Sequence, residues 1–263
     1  MIEFFNETPL TKPLIFDTHA HYEDPRFDEI RDKMFNGFKS KGVANVLTCG
    51  CDKISSQKAI EMAEKYDFIY AAVGIHPGNI ESQTSVSDIE KLATNKKCVA
   101  IGEIGLDYYW TQDNKTEQKE IFISQIKLAK KLELPIIVHD REAHADTLEI
   151  LKEYKPKGVV HSFSGSVEMA EEILKLGMYI GVGGVITFKN AKKLPDVVKF
   201  IPDESLVLET DAPYLAPVPY RSKTNNSALI YLVAQKIAEI RGTNTEPILN
   251  LTYNNAKKLF NLI

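Results

Sequence analysis

The stretch LIFDTHAH (residues 14–21) joins an apolar strand pattern to two histidines, and similar arrangements recur along the chain. They return in VAIGE (99–103), IIVH (136–139), VVH (159–161) and LVLETD (206–211). Near-continuous apolar runs of this length are typical of parallel strands that are buried on both faces. The sequence therefore predicts a parallel sheet whose strands lead into polar side chains.

Short apolar runs and amphipathic helical stretches alternate through the sequence. The predicted strands are Leu14–Phe16, Val43–Thr48, Ile69–Gly74, Val99–Gly102, Ile136–Val138, Val159–His161, Tyr179–Val182 and Leu206–Leu208. The clearest helical patterns are Phe27–Ser40, Thr116–Leu132, Val167–Leu176, Ser227–Arg241 and Glu246–Leu262.

Strands that alternate with helices in 263 residues predict an α/β fold, a single (β/α)₈ TIM barrel. We expect residues 1–263 to form one domain, with the last two helices as additions to the barrel. A doubly wound open sheet is the alternative architecture. The segment GVGGV at 181–185 lacks the spacing of a dinucleotide-binding loop.

The formal net charge of -4 bears on possible partners. Proteins that bind long duplex DNA without sequence preference usually carry a strong basic excess. Any contact with nucleic acid is therefore expected to be local, with metal ions supplying much of the positive charge.

The three cysteines, Cys49, Cys51 and Cys98, show no disulfide framework. Small buried side chains in a reducing compartment are the favoured interpretation, and metal ligation is the alternative. The N-terminal segment MIEFFNETPLTKP lacks the long apolar run of a secretion signal, and no run reaches membrane-spanning length. We therefore expect a cytoplasmic protein with no membrane contact.

Metal-capable side chains fall where the predicted strands end. Because parallel strands direct their carboxyl ends to one rim of a barrel, residues distant in sequence should converge there. Two imidazoles at positions i and i+2 of an extended segment can reach one ion. Four imidazoles and two carboxylates suit two divalent ions that share a carboxylate, with Mg²⁺, Mn²⁺ and Zn²⁺ as candidates. The six predicted ligands are His19, His21, Glu103, His139, His161 and Asp211.

The sequence indicates the roles of the two remaining histidines less clearly. His76 follows the third predicted strand in GIHPG, where it either contacts substrate or belongs to an ordinary turn. His144 stands near a predicted helix start, where a solvated position or a supporting contact is favoured over direct catalysis.

Several ordered motifs resemble the TatD family of metal-dependent deoxyribonucleases, within the amidohydrolase-like barrel superfamily. The similarity runs from about Ile15 to the C-terminus. It implies that His19, His21, Glu103 and Asp211 hold one metal ion and that Glu103, His139 and His161 hold a second, with Glu103 bridging. The matching motifs are DTHAH (17–21), GIHP (74–77), GEIGLDYY (102–109), HDREAHADTLEIL (139–151), HSFSGS (161–166) and ETDAPYLAPVPYR (209–221).

The sequence departs from the family pattern at two places. Gly78 stands where members commonly have a second histidine, and residues 221–227 read RSKTNNS where members commonly read RGKRNEP. The second segment lies beside the predicted mouth of the barrel. These departures concern substrate preference and rate rather than the metal ligands.

The residues predict phosphodiester hydrolysis by a water that two metal ions activate. Asp211 is the expected proton acceptor and Glu103 the shared ligand. Arg221 and Lys223 are candidates for binding a neighbouring phosphate, or are solvated loop charges. The aromatic segment 108–110, which begins with Tyr108, either stacks on bases or packs at the rim. Asp107 is expected to orient a metal ligand.

The predicted activity is a deoxyribonuclease that favours single-stranded DNA or 3′ ends, with RNA left open and no obligate protein partner. A metal-dependent amidohydrolase, lactonase or deacylase is the alternative within enzymes, because the same barrel can polarise a carbonyl group. The non-enzymatic alternative is a barrel that has lost catalytic activity and acts as a binding module.

Overall fold

The computed structural model describes residues 12–110 and 113–262, so most of the N-terminal segment considered above lies outside the described residues. Strands and helices alternate through the described ranges. The strands are β1 (Ile15–Ala20), β2 (Val43–Cys49), β3 (Ile69–Val73), β4 (Cys98–Asp107), β5 (Ile136–Arg141), β6 (Gly158–Val160), β7 (Tyr179–Val182) and β8 (Leu206–Leu208). The helices are α1 (Arg31–Phe38), α2 (Lys53–Lys65), α3 (Val86–Ala93), α4 (Lys115–Lys131), α5 (His144–Tyr154), α6 (Val167–Lys175), α7 (Leu194–Phe200), α8 (Ile230–Arg241) and α9 (Thr245–Leu259).

The eight strands form one sheet in the order β1 to β8, and every pair of neighbours is parallel. Hydrogen bonds between β1 and the chain around and after β8 join the two ends of the sheet. The Thr18 hydroxyl donates to the Leu208 carbonyl at 3.1 Å, and the Asp211 amide donates to the His19 carbonyl at 2.9 Å. The predicted (β/α)₈ barrel is confirmed, and the open doubly wound sheet is excluded.

Alternate residues of the strands face opposite sides of the barrel wall. On β1, Ile15 packs with the core between strands and helices, whereas Phe16 belongs to a second, inner cluster. Helix α9 packs against this inner cluster through Leu259 and Phe260, and the rings of Phe16 and Phe260 lie 5.8 Å apart. Phe16 stands near the start of β1, so α9 covers the end of the barrel opposite to the carboxyl ends of the strands.

Three strands extend at least three residues beyond their predicted ends. β1, β4 and β5 continue through polar residues at which the apolar pattern predicts their ends, so that Glu103 lies within β4 and His139 within β5. Parallel pairing continues there, with Gly105 opposite His139 and Asp107 opposite Arg141. Backbone hydrogen bonding does not require apolar side chains, and hydrophobicity therefore underestimates the length of a strand that leads into a site.

The helices differ from the prediction at their ends, and α9 stops at Leu259, three residues before the predicted end. Helix α1 begins at Arg31 rather than Phe27, because Asp24 caps a separate 3₁₀ turn over Pro25–Phe27. Helix α8 begins at Ile230, after a second 3₁₀ turn at Ser227–Leu229. In the ranges that the structure describes, no helix has both the length and the apolar character needed to cross a membrane.

Gly105 allows β4 and β5 to approach closely beside the polar end of the barrel. Its φ is +149°, and a Cβ at this position would overlap the His139 carbonyl oxygen. We expect Gly105→Ala to lower the free energy of unfolding by about 2–4 kcal/mol, because the strand must both move and adopt a strained backbone. Urea unfolding followed by circular dichroism measures the change.

Gly37→Ala is the matched control, since Gly37 lies inside helix α1 and a Cβ added there would point into open space. Alanine favours a helix interior over glycine, so this variant should gain about 0.5–1 kcal/mol. Equal stability of the Gly105→Ala variant and the unsubstituted protein would contradict the close-approach argument.

Candidate metal centre

The six predicted metal ligands converge at the carboxyl ends of the strands. They belong to or follow within three residues the strands β1, β4, β5, β6 and β8. A cavity of about 730 Å³ opens above them, and its wall includes five of the six. His19 lies deeper and is fully buried. We call the six side chains the metal cage, and its members are His19, His21, Glu103, His139, His161 and Asp211.

Glu103 stands between two pairs of histidines. Its Oε2 lies 3.4 Å from His19 Nε2 and 3.3 Å from His21 Nε2. Its Oε1 lies 2.7 Å from both His139 Nδ1 and His161 Nε2. One carboxylate thus presents a separate oxygen to each pair, which is the arrangement that a shared ligand of two ions requires.

Within each pair, the imidazole nitrogens face one another. His19 Nε2 lies 3.1 Å from His21 Nε2, and His139 Nδ1 lies 3.4 Å from His161 Nε2. Asp211 Oδ1 lies 3.6 Å from the facing nitrogens of both His19 and His21. Clustered imidazole nitrogens and carboxylate oxygens are the donor atoms that divalent cations such as Zn²⁺ bind in proteins. The donor set therefore fits metal binding on each side of Glu103.

The other ring nitrogens of two histidines are held by the protein. His21 Nδ1 lies 2.8 Å from the Cys49 carbonyl oxygen, to which it can donate a hydrogen bond. His139 Nε2 lies 3.0 Å from Asp107 Oδ2, and the other oxygen of Asp107 accepts from the backbone amides of residues 109 and 110. These contacts orient the two rings so that the remaining nitrogen of each faces Glu103. The expected orienting contact of Asp107 is present.

Glu209 lies beside His161 without a hydrogen bond to its ring. Its Oε1 accepts a hydrogen bond from the Ser162 amide and lies 3.7 Å from His161 Nδ1. The carboxylate is almost fully buried, at 1% exposure. Among the described residues, neither His161 Nδ1 nor the other oxygen of Glu209 has a hydrogen-bond partner. The sequence analysis did not single out this residue.

Asp17 lies beneath the cage and holds the segment that carries Asp211. Its carboxylate accepts hydrogen bonds from the Thr210 amide at 3.0 Å, from the Thr210 hydroxyl at 2.7 Å and from the Ser227 hydroxyl at 2.7 Å. Burial raises the pKa of Asp17 to about 7. Asp211 itself has a φ of +58°, which is uncommon outside glycine, and these contacts restrain the backbone next to it.

The electrostatic field of the cage favours an ionised Glu103. Burial alone would raise the pKa of this carboxyl group, but the neighbouring His161, His19 and His76 together hold it well below its ordinary value. Burial lowers the pKa of His76 to about 3 and also lowers the pKa of His19. Among the other cage histidines, the pKa of His139 is raised by Asp107 and that of His161 by Glu103, in both cases against the effect of burial, and the pKa of His21 is raised as well, so a divalent cation that binds here would displace protons from these imidazoles.

The other two histidines have separate positions. His76 lines the cavity, and its Nε2 lies 3.6 Å from Glu103 Oε1. Its Nδ1 accepts from the Gly78 amide at 3.0 Å, so the same side chain also stabilises the turn. His144 contacts Asp140 at 2.8 Å and is not part of the cage.

The predicted substrate contacts are divided among three places. Tyr108 is a correction: its ring is buried and its hydroxyl donates to Asp146 at 2.7 Å, so it does not face the cavity. Tyr109 and Trp110 are the exposed members of that aromatic segment, and Trp110 lines the cavity. Arg221 and Lys223 line a neighbouring cavity of about 360 Å³, which shares Tyr214 and Leu215 with the first.

The barrel and its cage of imidazoles and carboxylates define a metal-dependent hydrolase. A family model described as TatD related DNase matches residues 16–261. The chain belongs to this family, as the sequence motifs indicated.

Relatives and solved structures agree with this assignment. The chain is 43% identical over 254 residues to the uncharacterized metal-dependent hydrolase YabD of Bacillus subtilis, covering 95% of this chain and 100% of YabD. The crystal structure of YjjV, a TatD homologue from Escherichia coli, superposes with a TM-score of 0.88 at 33% identity and covers 95% of this chain and 98% of YjjV. A hydrolase of the TatD family from Entamoeba histolytica has a TM-score of 0.84 at 26% identity, covering 94% and 97% of the two chains.

Proposed function

We propose that this protein is a deoxyribonuclease that hydrolyses phosphodiester bonds in single-stranded DNA with the help of two divalent metal ions. The observation that carries the proposal is the division of Glu103 between two histidine pairs, with one carboxylate oxygen directed to each. Two ions held in this way would neutralise phosphate oxygens and lower the pKa of a water molecule between them.

The protein's own residues would complete the reaction. Asp211 is partly exposed to the cavity and lies beside His19 and His21, where its carboxylate can accept the proton that the attacking water loses. Its left-handed backbone and the contacts of Asp17 fix this carboxylate in place. Glu103 serves as the shared ligand rather than as a base, because histidines surround both of its oxygens. Mg²⁺, Mn²⁺ and Zn²⁺ all remain compatible with the donor set.

The rim of the cavity supports a nucleic-acid substrate. The Arg141 guanidinium lies 4.1 Å from the centre of the Tyr109 ring and 5.4 Å from that of Trp110. Trp110 is 71% exposed, although large aromatic side chains are usually covered. In proteins that bind single strands, an exposed indole can stack on a base while a neighbouring guanidinium neutralises a phosphate.

A second arginine and aromatic pair lies on another part of the rim. The Arg26 guanidinium is 4.3 Å from the centre of the Tyr214 ring, and Tyr214 is half exposed. Arg26 also lines the neighbouring cavity together with Arg221 and Lys223, and no acidic residue is among the described residues of that wall. Arg26 is paired with Asp24 at 2.7 Å, so Arg221 and Lys223 are the cations of this wall that suit the next phosphates of a bound strand. The net charge of -4 fits such local contact better than binding along a duplex.

Cleavage of end-labelled oligonucleotides tests the proposal directly. Single-stranded DNA should be cut faster than duplex DNA of the same sequence, and the order in which products appear separates exonuclease from endonuclease action. An RNA strand and a set of acyl and lactone substrates are assayed in parallel. Hydrolysis of an acyl or lactone substrate without cleavage of any oligonucleotide would replace this proposal with the amidohydrolase alternative.

Trp110→Ala should raise the KM for a single-stranded oligonucleotide about tenfold, with a smaller effect on kcat, because one stacking contact is lost. Phe200→Ala is the control, since Phe200 is also an exposed aromatic residue but lies in the wall of a different cavity. Initial rates over a range of oligonucleotide concentrations separate the two constants. An unchanged KM in the Trp110→Ala variant would remove this residue from the strand-binding surface.

A further inference from the structure

A buried network of hydrogen bonds joins Ser227 to β1 and to the residues that follow this strand. Ser227 begins the 3₁₀ turn before helix α8 and is fully buried. Its hydroxyl donates to Asp17 Oδ2 at 2.7 Å, and its backbone amide donates to the Tyr22 hydroxyl oxygen at 2.8 Å. One serine therefore contacts the chain on both sides of His19 and His21.

The Tyr22 hydroxyl completes this network. The hydroxyl oxygens of Tyr22 and Ser227 lie 2.8 Å apart. Because Ser227 gives its only hydroxyl proton to Asp17, the Tyr22 hydroxyl is the donor of this second bond. All three residues are fully buried. The loss of one hydroxyl would therefore leave a buried polar group without its partner, which is costly.

Asn225 holds the turn that carries Asp211. Its side-chain amide donates to the Thr210 carbonyl at 2.8 Å, and its backbone amide donates to the Pro213 carbonyl at 3.0 Å. These two contacts lie on either side of Asp211, whose φ of +58° is uncommon outside glycine. Asn225 is also fully buried, so the loop before α8 supports this turn from beneath.

Thr210 connects the contacts of Asn225 with those of Ser227. Its amide and its hydroxyl both donate to Asp17, to which Ser227 also donates, and its carbonyl accepts from Asn225. Asp211 thus follows a residue that is held by its amide, its hydroxyl and its carbonyl. These contacts restrict the backbone from which the Asp211 carboxylate reaches the cage.

We propose that Ser227 and Asn225 are positioning residues that hold the Asp211 carboxylate in the metal cage. Neither side chain is part of the cavity wall, so both act through the residues that they contact. The inference rests on the metal centre of the proposed function but is independent of the substrate. Family members commonly have proline at position 227, and proline has neither the hydroxyl nor the amide hydrogen that Ser227 uses. The Ser227 contacts therefore distinguish this chain from the common family pattern.

Zn²⁺ affinity tests the positioning role without any substrate. Among the cage residues, Asp211 faces His19 and His21, so its displacement should affect the ion on that side of Glu103. In the full-length Ser227→Ala variant, we expect the Kd of one Zn²⁺ ion to rise at least about tenfold and that of the other to stay unchanged. Contacts behind a metal ligand are worth about tenfold to a hundredfold in affinity. Competition with a chromophoric chelator measures both constants.

Two further variants remove other parts of the same network. Asn225→Ala should weaken the same ion, because it removes the side-chain contact to Thr210. Tyr22→Phe keeps the ring and removes only the hydroxyl that contacts Ser227, so it should weaken this ion as well. The Tyr22→Phe variant retains the volume of the buried side chain and provides the test if Ser227→Ala does not fold.

Thr252→Val is the matched control. Thr252 is almost fully buried, and its hydroxyl donates to the Ile248 carbonyl at 2.8 Å within α9, which covers the opposite end of the barrel. This variant also loses a buried hydroxyl group but should bind both Zn²⁺ ions with unchanged affinity. Thermal unfolding of each metal-free variant measures any general loss of stability, which would not by itself distinguish one ion from the other.

Cleavage of single-stranded DNA gives a second measurement. Ser227→Ala should lower kcat about tenfold and leave the KM for the oligonucleotide unchanged, because Ser227 lies outside the cavity that receives the strand. Unchanged Kd values for both ions in folded Ser227→Ala and Tyr22→Phe would overturn the proposal, as would an equal loss of both ions. Failure of the unsubstituted protein to bind Zn²⁺ would remove the metal centre on which the proposed function also rests. Selective loss of one ion in a protein that cleaves no DNA would support the positioning role and contradict the nuclease.

Discussion

Removal of divalent ions with EDTA should abolish the cleavage of single-stranded DNA, and Mg²⁺, Mn²⁺ or Zn²⁺ should restore it. We expect the rate to fall at least about a thousandfold, equivalent to about 4 kcal/mol of transition-state stabilisation. The reason is the composition of the cage, in which the described side chains around Glu103 are imidazoles and carboxylates. In the absence of cations, these groups supply no Lewis acid that could activate a water molecule for attack on phosphorus.

The measurement uses protein that has been treated with EDTA, dialysed, and assayed with and without each added metal. Asp211→Asn, purified in the same way, is the control for a co-purifying nuclease and should remain inactive with every metal. A metal-free protein that retains its full rate would exclude the mechanism. Activity that returns in the Asp211→Asn sample would show that the cleavage belongs to a contaminant.

The barrel could be predicted from the sequence because its signal is periodic and repeated. Eight apolar runs separated by helical stretches leave few architectures open, and the bounds of β7 and β8 are those that the sequence predicted. The predicted ends of β1, β4 and β5 came too early, because polar residues continue the backbone pairing without continuing the apolar pattern. Hydrophobicity indicates where a strand is buried but does not indicate where its hydrogen bonds end.

The convergence of the cage was predictable for a geometric reason. Parallel strands in a closed sheet direct their carboxyl ends to one rim, so residues as distant in sequence as His21 and Asp211 meet there. Of the carboxylates that support the cage, Asp107 was predicted, whereas two others were not. Asp17 and Glu209 lie beneath the rim, and their roles depend on partners that only the folded barrel brings near.

The sequence did not predict which side chains of the aromatic segment 108–110 would face the cavity. Tyr108 and Trp110 are two residues apart, yet the first is buried against Asp146 and the second is exposed at the cavity. The segment follows the end of β4, where the alternation of a strand no longer decides which side chain faces the mouth. The position of Arg221 beside a separate cavity could not be derived from the sequence for the same reason, since it lies in an irregular loop.

Glu103→Ala should remove both metal ions, whereas His139→Ala should remove one. Glu103 is the only cage residue whose oxygens face both histidine pairs among the described contacts, so its loss affects each ion. His139 faces Glu103 Oε1 alone and leaves the His19 and His21 side intact. Elemental analysis of dialysed protein should therefore give about two ions for the unsubstituted protein, about one for His139→Ala, and fewer than one for Glu103→Ala.

Both substitutions should reduce the rate of cleavage at least about a thousandfold, because each removes a cation that the transition state requires. Asp146→Asn is the control, since Asp146 pairs with Tyr108 and Lys119 outside the cage and should leave two ions bound. Circular dichroism establishes whether each variant is folded. Two ions in folded Glu103→Ala would contradict the shared-ligand assignment, and equal stoichiometry in the two cage variants would mean that the ions do not bind on separate sides of this carboxylate.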